Sequence, residues 1–442
     1  METSLDRFRE LLRIPTVSHA DTTLVDVARF DDFHAALRRL YPRVHATLER
    51  EVVAGHALLY RWPGASASAP LVLMAHQDVV PVVPEEWQHD PFGAELVGSG
   101  PDAAVHARGA IDDKGALVAI MEAVEMLLGE GFRPRRDVYL AFGHNEETAG
   151  DGAAAIVAHL RARDVRPGLV LDEGGAVVDG VLPGVVRQTA MIGVAERGIM
   201  TAWLTAREAG GHASTPPARP ATARLARAIT RVHRHPFPRR VSAPVRAMLA
   251  TLAPHAPAPL RFLFTRLRVT GPLVAAVFAR IGPETNALVR TTAVVTELHG
   301  APGENVLATT ARAAVNVRLL TGDTVASATA RLRAVIDDDG IELEVRHASD
   351  PSPVSPWRGD AWRRIAGAIG SALGEDIVPT PYIQLGASDS RWFTAISDHV
   401  YRFAPFHLTR AERDALHAHD ERIRVDVWLR GIGFYRDLIA GS

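Results

Sequence analysis

The chain contains no cysteine. That absence excludes disulfides and thiolate metal ligands, so any metal must be held by His, Asp and Glu, a donor set that suits zinc, manganese or cobalt. Lysine is almost missing as well: Lys114 is the single one, and arginine supplies the rest of the 49 basic residues. Neither sign of charge dominates. With 51 acidic residues the formal net charge is −2, and no nucleic-acid or polyanion partner is implied. No uninterrupted apolar run reaches the roughly 18 residues that a membrane span needs. The Met-Glu-Thr-Ser-Leu-Asp start lacks a basic stretch followed by an apolar one, so a cytoplasmic protein is expected. No nucleophile-elbow motif and no internal repeat is present.

What is there is a chain of 442 residues, long enough for two or three domains with large cores. Leu71–Ala75, Asp137–Phe142 and Gly168–Leu171 are short apolar runs of the kind that form buried strands. Helical patterns separate them. The strongest follows Ala107-Arg-Gly-Ala-Ile-Asp-Asp-Lys-Gly115, where Leu117, Ile120, Met121 and Val124 repeat at helical spacing. Strands alternating with helices imply a largely parallel α/β sheet, and ligands in such sheets collect beyond the strand C-termini. Upstream, Val25–Leu40 reads as a helix and Val44–Leu48 as a strand.

From about Gly193 the order becomes β-α-β-β-α-β, the split ferredoxin-like unit. The elements are a strand over Ala195–Arg207, a helix over Ala221–Val232, strands over Leu288–Leu298 and Ala311–Leu320, a helix over Thr324–Ile336 and a strand over Ile341–His347. The expected architecture is therefore a mainly parallel-sheet α/β catalytic domain (1–192 and 354–442) carrying an inserted α+β lid or dimerisation domain (193–353). Within the lid an extra segment, about 236–283, is rich in Pro, Arg and Leu. Its Leu260–Ile281 portion is apolar but broken by Arg261, Arg266, Arg268 and Arg280, which favours a helical pair covering a groove or a subunit contact over any membrane partner.

Three of the strand ends release acids or histidine. His76-Gln-Asp78 follows the first; an imidazole there can bind a metal while the nearby acid fixes its orientation. His144-Asn-Glu-Glu147 follows the second, where one glutamate can bind metal and the other stay free as a base. Asp172-Glu173-Gly-Gly follows the third. Asp112 and Asp113 sit at the start of the central helix, and His417-Ala-His-Asp-Glu421 lies near the C-terminus. Together these supply two imidazoles and enough carboxylates for a pair of divalent ions.

The ordered motifs are Met-Ala-His-Gln-Asp-Val-Val-Pro81, Arg-Gly-Ala-Ile-Asp-Asp-Lys-Gly115, Asn-Glu-Glu147, Leu-Asp-Glu-Gly-Gly175, Gly-Gly-His-Ala-Ser214 and Leu-His-Ala-His-Asp-Glu-Arg-Ile423. In this order they resemble the dizinc aminoacylase/carboxypeptidase metallopeptidases, nearest to carboxypeptidase S (Gly-Xaa carboxypeptidase) and the N-acyl-amino-acid hydrolases. The resemblance runs from about residue 70 to 430. It implies two divalent ions, Zn²⁺ or alternatively Mn²⁺ or Co²⁺. Asp112 would bridge them, His76 and Asp172 completing one site and Glu147 and His417 the other. Glu173 and His419 are the competing choices for Asp172 and His417. Glu146 would be the general base and Asp78 the partner of His76, and a cis peptide is implied between Asp112 and Asp113.

The same resemblance makes His212 a donor to the tetrahedral oxyanion and Asn286 a polar lid contact. Arg391, in Gly386-Ala-Ser-Asp-Ser-Arg391, would clamp the substrate's free carboxylate, with Gly386 offering a backbone N–H and Arg318 as the rival clamp. Departures from the family pattern are Ala308, where proline is usual, and His106-Ala107, where an aromatic-Gly pair is common. The implied activity is hydrolysis of the amide joining an acyl or aminoacyl group to a C-terminal amino acid, in a chain that pairs as a homodimer through its lid. The rivals are a deacetylase or carbamoyl hydrolase of the same mechanism and a metal-free scaffold that kept the fold.

Overall fold

The computed structural model describes residues 3–442. Its larger domain is built on a nine-stranded mixed sheet. In spatial order the strands are Glu49–Val53, Ala57–Trp62, Arg136–Gly143, Ser66–His76, Leu169–Asp172, Val400–Arg402, Thr189–Glu196 and Val378–Gln384, with the short Val177–Val178 added beside Thr189–Glu196. The strands that carry the chemistry lie at the centre, where Ser66–His76 pairs in parallel with both Arg136–Gly143 and Leu169–Asp172. All three point the same way and end at the same rim, which is how residues far apart in sequence reach one place.

The central helix, Lys114–Gly129, is buried along nearly its whole length and mostly apolar, apart from Glu122 and Glu125, which bond Arg7 and Arg43. Such a helix belongs in a core. It lies between the sheet and an outer layer that includes the C-terminal helix Val425–Ala440 and the N-terminal helix Ser4–Leu12, whose Phe8 ring stacks on Trp428 at 4.3 Å. Lys114 is fully buried. Its ammonium donates to the Ile14 carbonyl at 2.5 Å and stands over the Phe33 ring, so the lone lysine fastens the chain after the first helix to the start of the central one.

The smaller domain is a four-stranded antiparallel sheet in the order Thr292–His299, Thr310–Leu319, Gly198–Arg207, Ile341–Ser349. Helices Ala221–Arg234 and Val325–Ile336 cover one face around Met200, Leu204, Leu225, Val315 and Leu332. Chain order through this unit is β-α-β-β-α-β, as the periodicity implies.

Three details differ from the expected element map. Residues 44–48 are not a strand: Pro42, at the first turn, starts the short helix Pro42–Thr47. The expected strand over Ala195–Arg207 is two strands broken at Arg197, the first in the large sheet and the second in the small one, so the crossing lies at Arg197. The segment 236–283 folds as Ala243–Leu252, Ala258–Thr265 and Leu267–Ile281. Its buried side chains, among them Val245, Leu249, Phe264, Val274 and Phe278, join the core of the large domain, although in sequence they interrupt the small one. Ala243–Leu252 lies against the edge strand Val378–Gln384.

Candidate dinuclear metal centre

Asp112 occupies the middle of the site, and its two carboxylate oxygens face different neighbours. Oδ1 lies 2.9 Å from His76 Nε2, and Oδ2 lies 3.0 Å from His417 Nε2. Around this shared residue the donor atoms fall into two groups, His76, Asp112 and Glu173 on one side and Asp112, Glu147 and His417 on the other. Glu147 Oε2 is 3.0 Å from His417 Nε2, and Glu173 Oε1 is 3.7 Å from His76 Nε2. The peptide between Asp112 and Asp113 is cis.

Asp172 is not in either group. Its carboxylate is buried and accepts the Ser390 N–H at 2.8 Å. The strand explains the difference. Leu169 and Leu171 face the main core while Val170 packs on the other side with Phe393, and Asp172 continues the Val170 face toward Ser390. Glu173, just beyond the strand end, is the acid that turns to His76. His419 likewise lies apart, with Nδ1 3.2 Å from Glu86 at the surface.

Backbone and buried side chains brace the centre. Asp78 accepts the N–H groups of Glu146 and Glu147 at 3.2 and 3.1 Å and the Ser18 hydroxyl at 2.7 Å, while His76 Nδ1 lies 2.9 Å from the Asp78 carbonyl. One residue therefore orients a histidine and the loop carrying both glutamates. Glu421 does the same for the Asp112 loop. Fully buried, it accepts the N–H groups of Gly109, Ile111 and Asp112 and pairs with Arg108 at 2.7 Å. Sequence reasoning gave Glu421 no role; its only signal was its place four residues after His417. Asp389 was also missed. It is buried beside Gly143, and burial with the nearby charge of Asp172 pushes its pKa up to about 8.

The electrostatics describe an acid-rich pocket. Hydrogen bonds to Asp112 and Glu147 raise the His417 pKa to about 10. Burial opposes charge on His76, yet Asp112 and Asp78 outweigh it and lift its pKa well above the ordinary value. Burial also opposes ionisation of Asp112, but His417 and His76 hold its pKa low. Glu173 and Glu146 are pushed well up, first by burial and then by neighbouring carboxylates. Among the described residues no Arg or Lys forms an ion pair with Asp112, Glu146, Glu147 or Glu173, and Glu147 Oε1 is buried without a hydrogen-bond partner. Two divalent cations fit this donor set: Asp112, Glu147 and Glu173 offset three of four positive charges, and two neutral imidazoles complete it.

The remaining expected residues lie outside both groups. His212 is exposed on Gly211–His212, and the Ser214 N–H donates to its Nδ1 at 3.1 Å, which in the neutral ring leaves Nε2 as the N–H. Arg391 stands over the Trp392 ring in the 3₁₀ segment Asp389–Ala395, after the exposed Gly386. Arg318 bonds Asn316, and Asn286 lies in the helix Pro283–Val289. A separate group, Asp31, His34 and His56, is linked to the centre's first strand through His34 and Gln77, 2.7 Å apart.

Residues 72–441 match the model of peptidase family M20/M25/M40. The chain belongs to that family. Curated relatives include the N-fatty-acyl-amino acid synthase/hydrolase PM20D1 of Xenopus tropicalis, 32% identical over 99% of this chain and 85% of the relative. The probable carboxypeptidase S-like 2 of Dictyostelium discoideum is 31% identical over 93% and 79%. Among solved structures, the M20 metallo-carboxypeptidase Sso-CP2 from Sulfolobus solfataricus superimposes with a TM-score of 0.71 at 17% identity, covering 99% of both chains. An M20 member with paired ligand groups around a shared aspartate is a metal-dependent hydrolase with a dinuclear site, and the two-domain fold is the one this family uses.

Proposed function

We propose that this M20 hydrolase cleaves the amide between an acyl or aminoacyl group and a C-terminal amino acid, with N-acyl amino acids, long-chain ones included, as the substrate class. The observation that carries the reading is Asp112 offering one oxygen to each ligand group while the half-buried Glu146, near enough to feel the charges of His76, Asp112 and Glu147, belongs to neither. The names of the relatives, an N-fatty-acyl-amino acid synthase/hydrolase and a probable carboxypeptidase S-like protein, support the substrate class.

His76, Asp112, Glu173, Glu147 and His417 would hold the ions, whose chemistry is Lewis-acid polarisation of the amide carbonyl and acidification of water. Glu146 takes the proton of the attacking water and passes it to the leaving nitrogen. Its backbone is fixed by Asp78, which keeps the carboxylate in place between the two transfers. His212, with its N–H on Nε2, donates to the oxyanion once the small domain closes or a partner subunit presents it. Arg391 pairs with the free carboxylate of the substrate. The metal-free scaffold reading loses its ground where every donor is present and clustered.

A hydrolysis screen of N-acetyl, long-chain N-acyl and Gly-Xaa substrates with added zinc, manganese or cobalt tests the reading. About two metal ions per chain and turnover that drops sharply when the substrate carboxylate is amidated are expected. Equal rates on the amidated substrate would remove the Arg391 clamp, and absence of both metal and turnover would remove the proposal.

A further inference from the structure

The helix Leu267–Ile281 has an unusual outer face. Its buried residues, Leu267, Val274, Ala275 and Phe278 among them, seat it on the large domain. The opposite side of a surface helix is normally polar, yet here it carries Val269, Leu273, Val277 and Ile281 at four-residue spacing. All are exposed, Val269 to 83%. Phe262, also exposed, extends the strip onto the preceding helix, with the Arg266 guanidinium 4.3 Å from its ring centre.

The charges within this segment are of one sign, the first acid being Glu284 just beyond it. Residues 236–283 contain seven arginines and no Asp, Glu or Lys, in a chain whose overall charge is close to balanced. Arg246, Arg261, Arg266, Arg268 and Arg280 are exposed, and none pairs with a carboxylate among the described residues. Arg246, Arg266 and Arg268 converge with Phe264, Leu267 and Val269 on a groove of about 730 Å³. A groove lined by apolar side chains and three arginines matches an amphiphile with an anionic head.

A basic amphipathic helix with an exposed apolar strip is the signature of a peripheral membrane surface. No single helix here is long and apolar enough to cross a membrane. The two helices have 8 and 15 residues and bend by 117° at Arg266, so the longer one extends only about 22 Å against a hydrocarbon core of about 30 Å. Symmetric pairing of this face with itself is disfavoured because an isologous contact would set the same arginines against each other.

We propose that Leu267–Ile281 and the adjoining arginine-lined groove dock the protein on an anionic lipid bilayer, the apolar strip entering the interface and the groove receiving a lipid headgroup. If the substrate reading above holds, docking places the enzyme where long-chain N-acyl amino acids partition; the docking itself does not depend on that reading.

Co-sedimentation of the full chain with vesicles tests it, independently of activity. Binding to phosphatidylglycerol/phosphatidylcholine vesicles should exceed binding to phosphatidylcholine alone at least tenfold and should weaken as salt is raised. Two surface double variants, Val269→Asp/Leu273→Asp and Arg266→Gln/Arg268→Gln, should each lose most of this binding while keeping metal content, melting temperature and turnover of a short-chain soluble substrate. Wild-type protein that ignores anionic vesicles at low salt, or variants that bind them as well as wild type, would overturn the proposal. So would a concentration-dependent dimer abolished by Val269→Asp/Leu273→Asp, which would assign the strip to a second copy.

Discussion

The two halves of the metal centre are built differently. His76 is buried at the end of a central strand, held through Nδ1 by Asp78, and its neighbour Gln77 is bonded on to His34. His417 sits in a loop near the C-terminus, 53% exposed at its side chain, on a residue with φ of 58°. Both touch the same carboxylate, but one donor is part of the sheet and the other is delivered by a surface segment. Pre-organised ligands cost little to assemble around an ion, whereas loop ligands must be ordered when it binds. The His76 half should therefore bind its ion tightly, and the His417 half should exchange.

The largest effect separates both halves from the residue that belongs to neither. Glu146→Gln should leave about two ions bound while hydrolysis falls by roughly 10²–10⁴-fold, the usual range for a positioned general base. Metal analysis beside kcat checks it, and retained turnover would return Glu146 to the supporting cast.

Next come the halves themselves. His417→Ala should release one ion and keep the other, whereas His76→Ala should weaken both, each by at least roughly the 10–100-fold that loss of even an outer partner causes. Glu173→Gln should behave like a ligand variant, and Asp172→Asn should keep the metal content near wild type. Zinc titration with a chromogenic chelator reads all four. Equal losses from His76→Ala and His417→Ala would erase the distinction between the halves.

The smallest effect tests the support behind His76. Burial lowers the His34 pKa to about 4 from an ordinary 6.5. Between those values the unfolded chain binds the proton that the folded one refuses, so stability rises with pH across the window. It is intact above pH 6.5, is lost as pH falls toward 4, and changes no further below that. The loss amounts to at most about 3 kcal/mol. Urea unfolding at pH 7 and pH 4 should show a smaller acid-induced drop for His34→Gln than for wild type.

Much of this was legible in the sequence because the informative signals were local. Apolar runs ending in His76, Glu146-Glu147 and Asp172-Glu173 gave the strands and the rim where ligands gather, and the helical repeat after Asp113 gave the central helix. What stayed hidden depended on the exact end of an element or on contacts across the chain. The choice between Asp172 and Glu173 turns on which sheet face the last strand residue occupies, and two adjacent acids read alike until Ser390 is seen beside one of them. Glu421 and Asp389 act through long-range contacts with no periodicity to betray them. The helical pair within 260–281 was read from the sequence, but not the helix Ala243–Leu252 nor the seat of all three on the large domain, because the chain leaves one sheet at Arg197 and returns much later.

The carboxylate of Glu421, which holds the backbone around Asp112, has a consequence for biosynthesis. Both it and His417 lie more than 240 residues beyond His76, Asp112, Glu147 and Glu173, which all precede residue 174. A chain synthesised only as far as residue 416 therefore holds one of the two ligand histidines, His76, and an Asp112 loop that Glu421 has not yet secured. The paired centre closes only once residue 421 has been made, so a truncation before His417 should remove the ion that His417 holds and loosen the loop of the bridging Asp112.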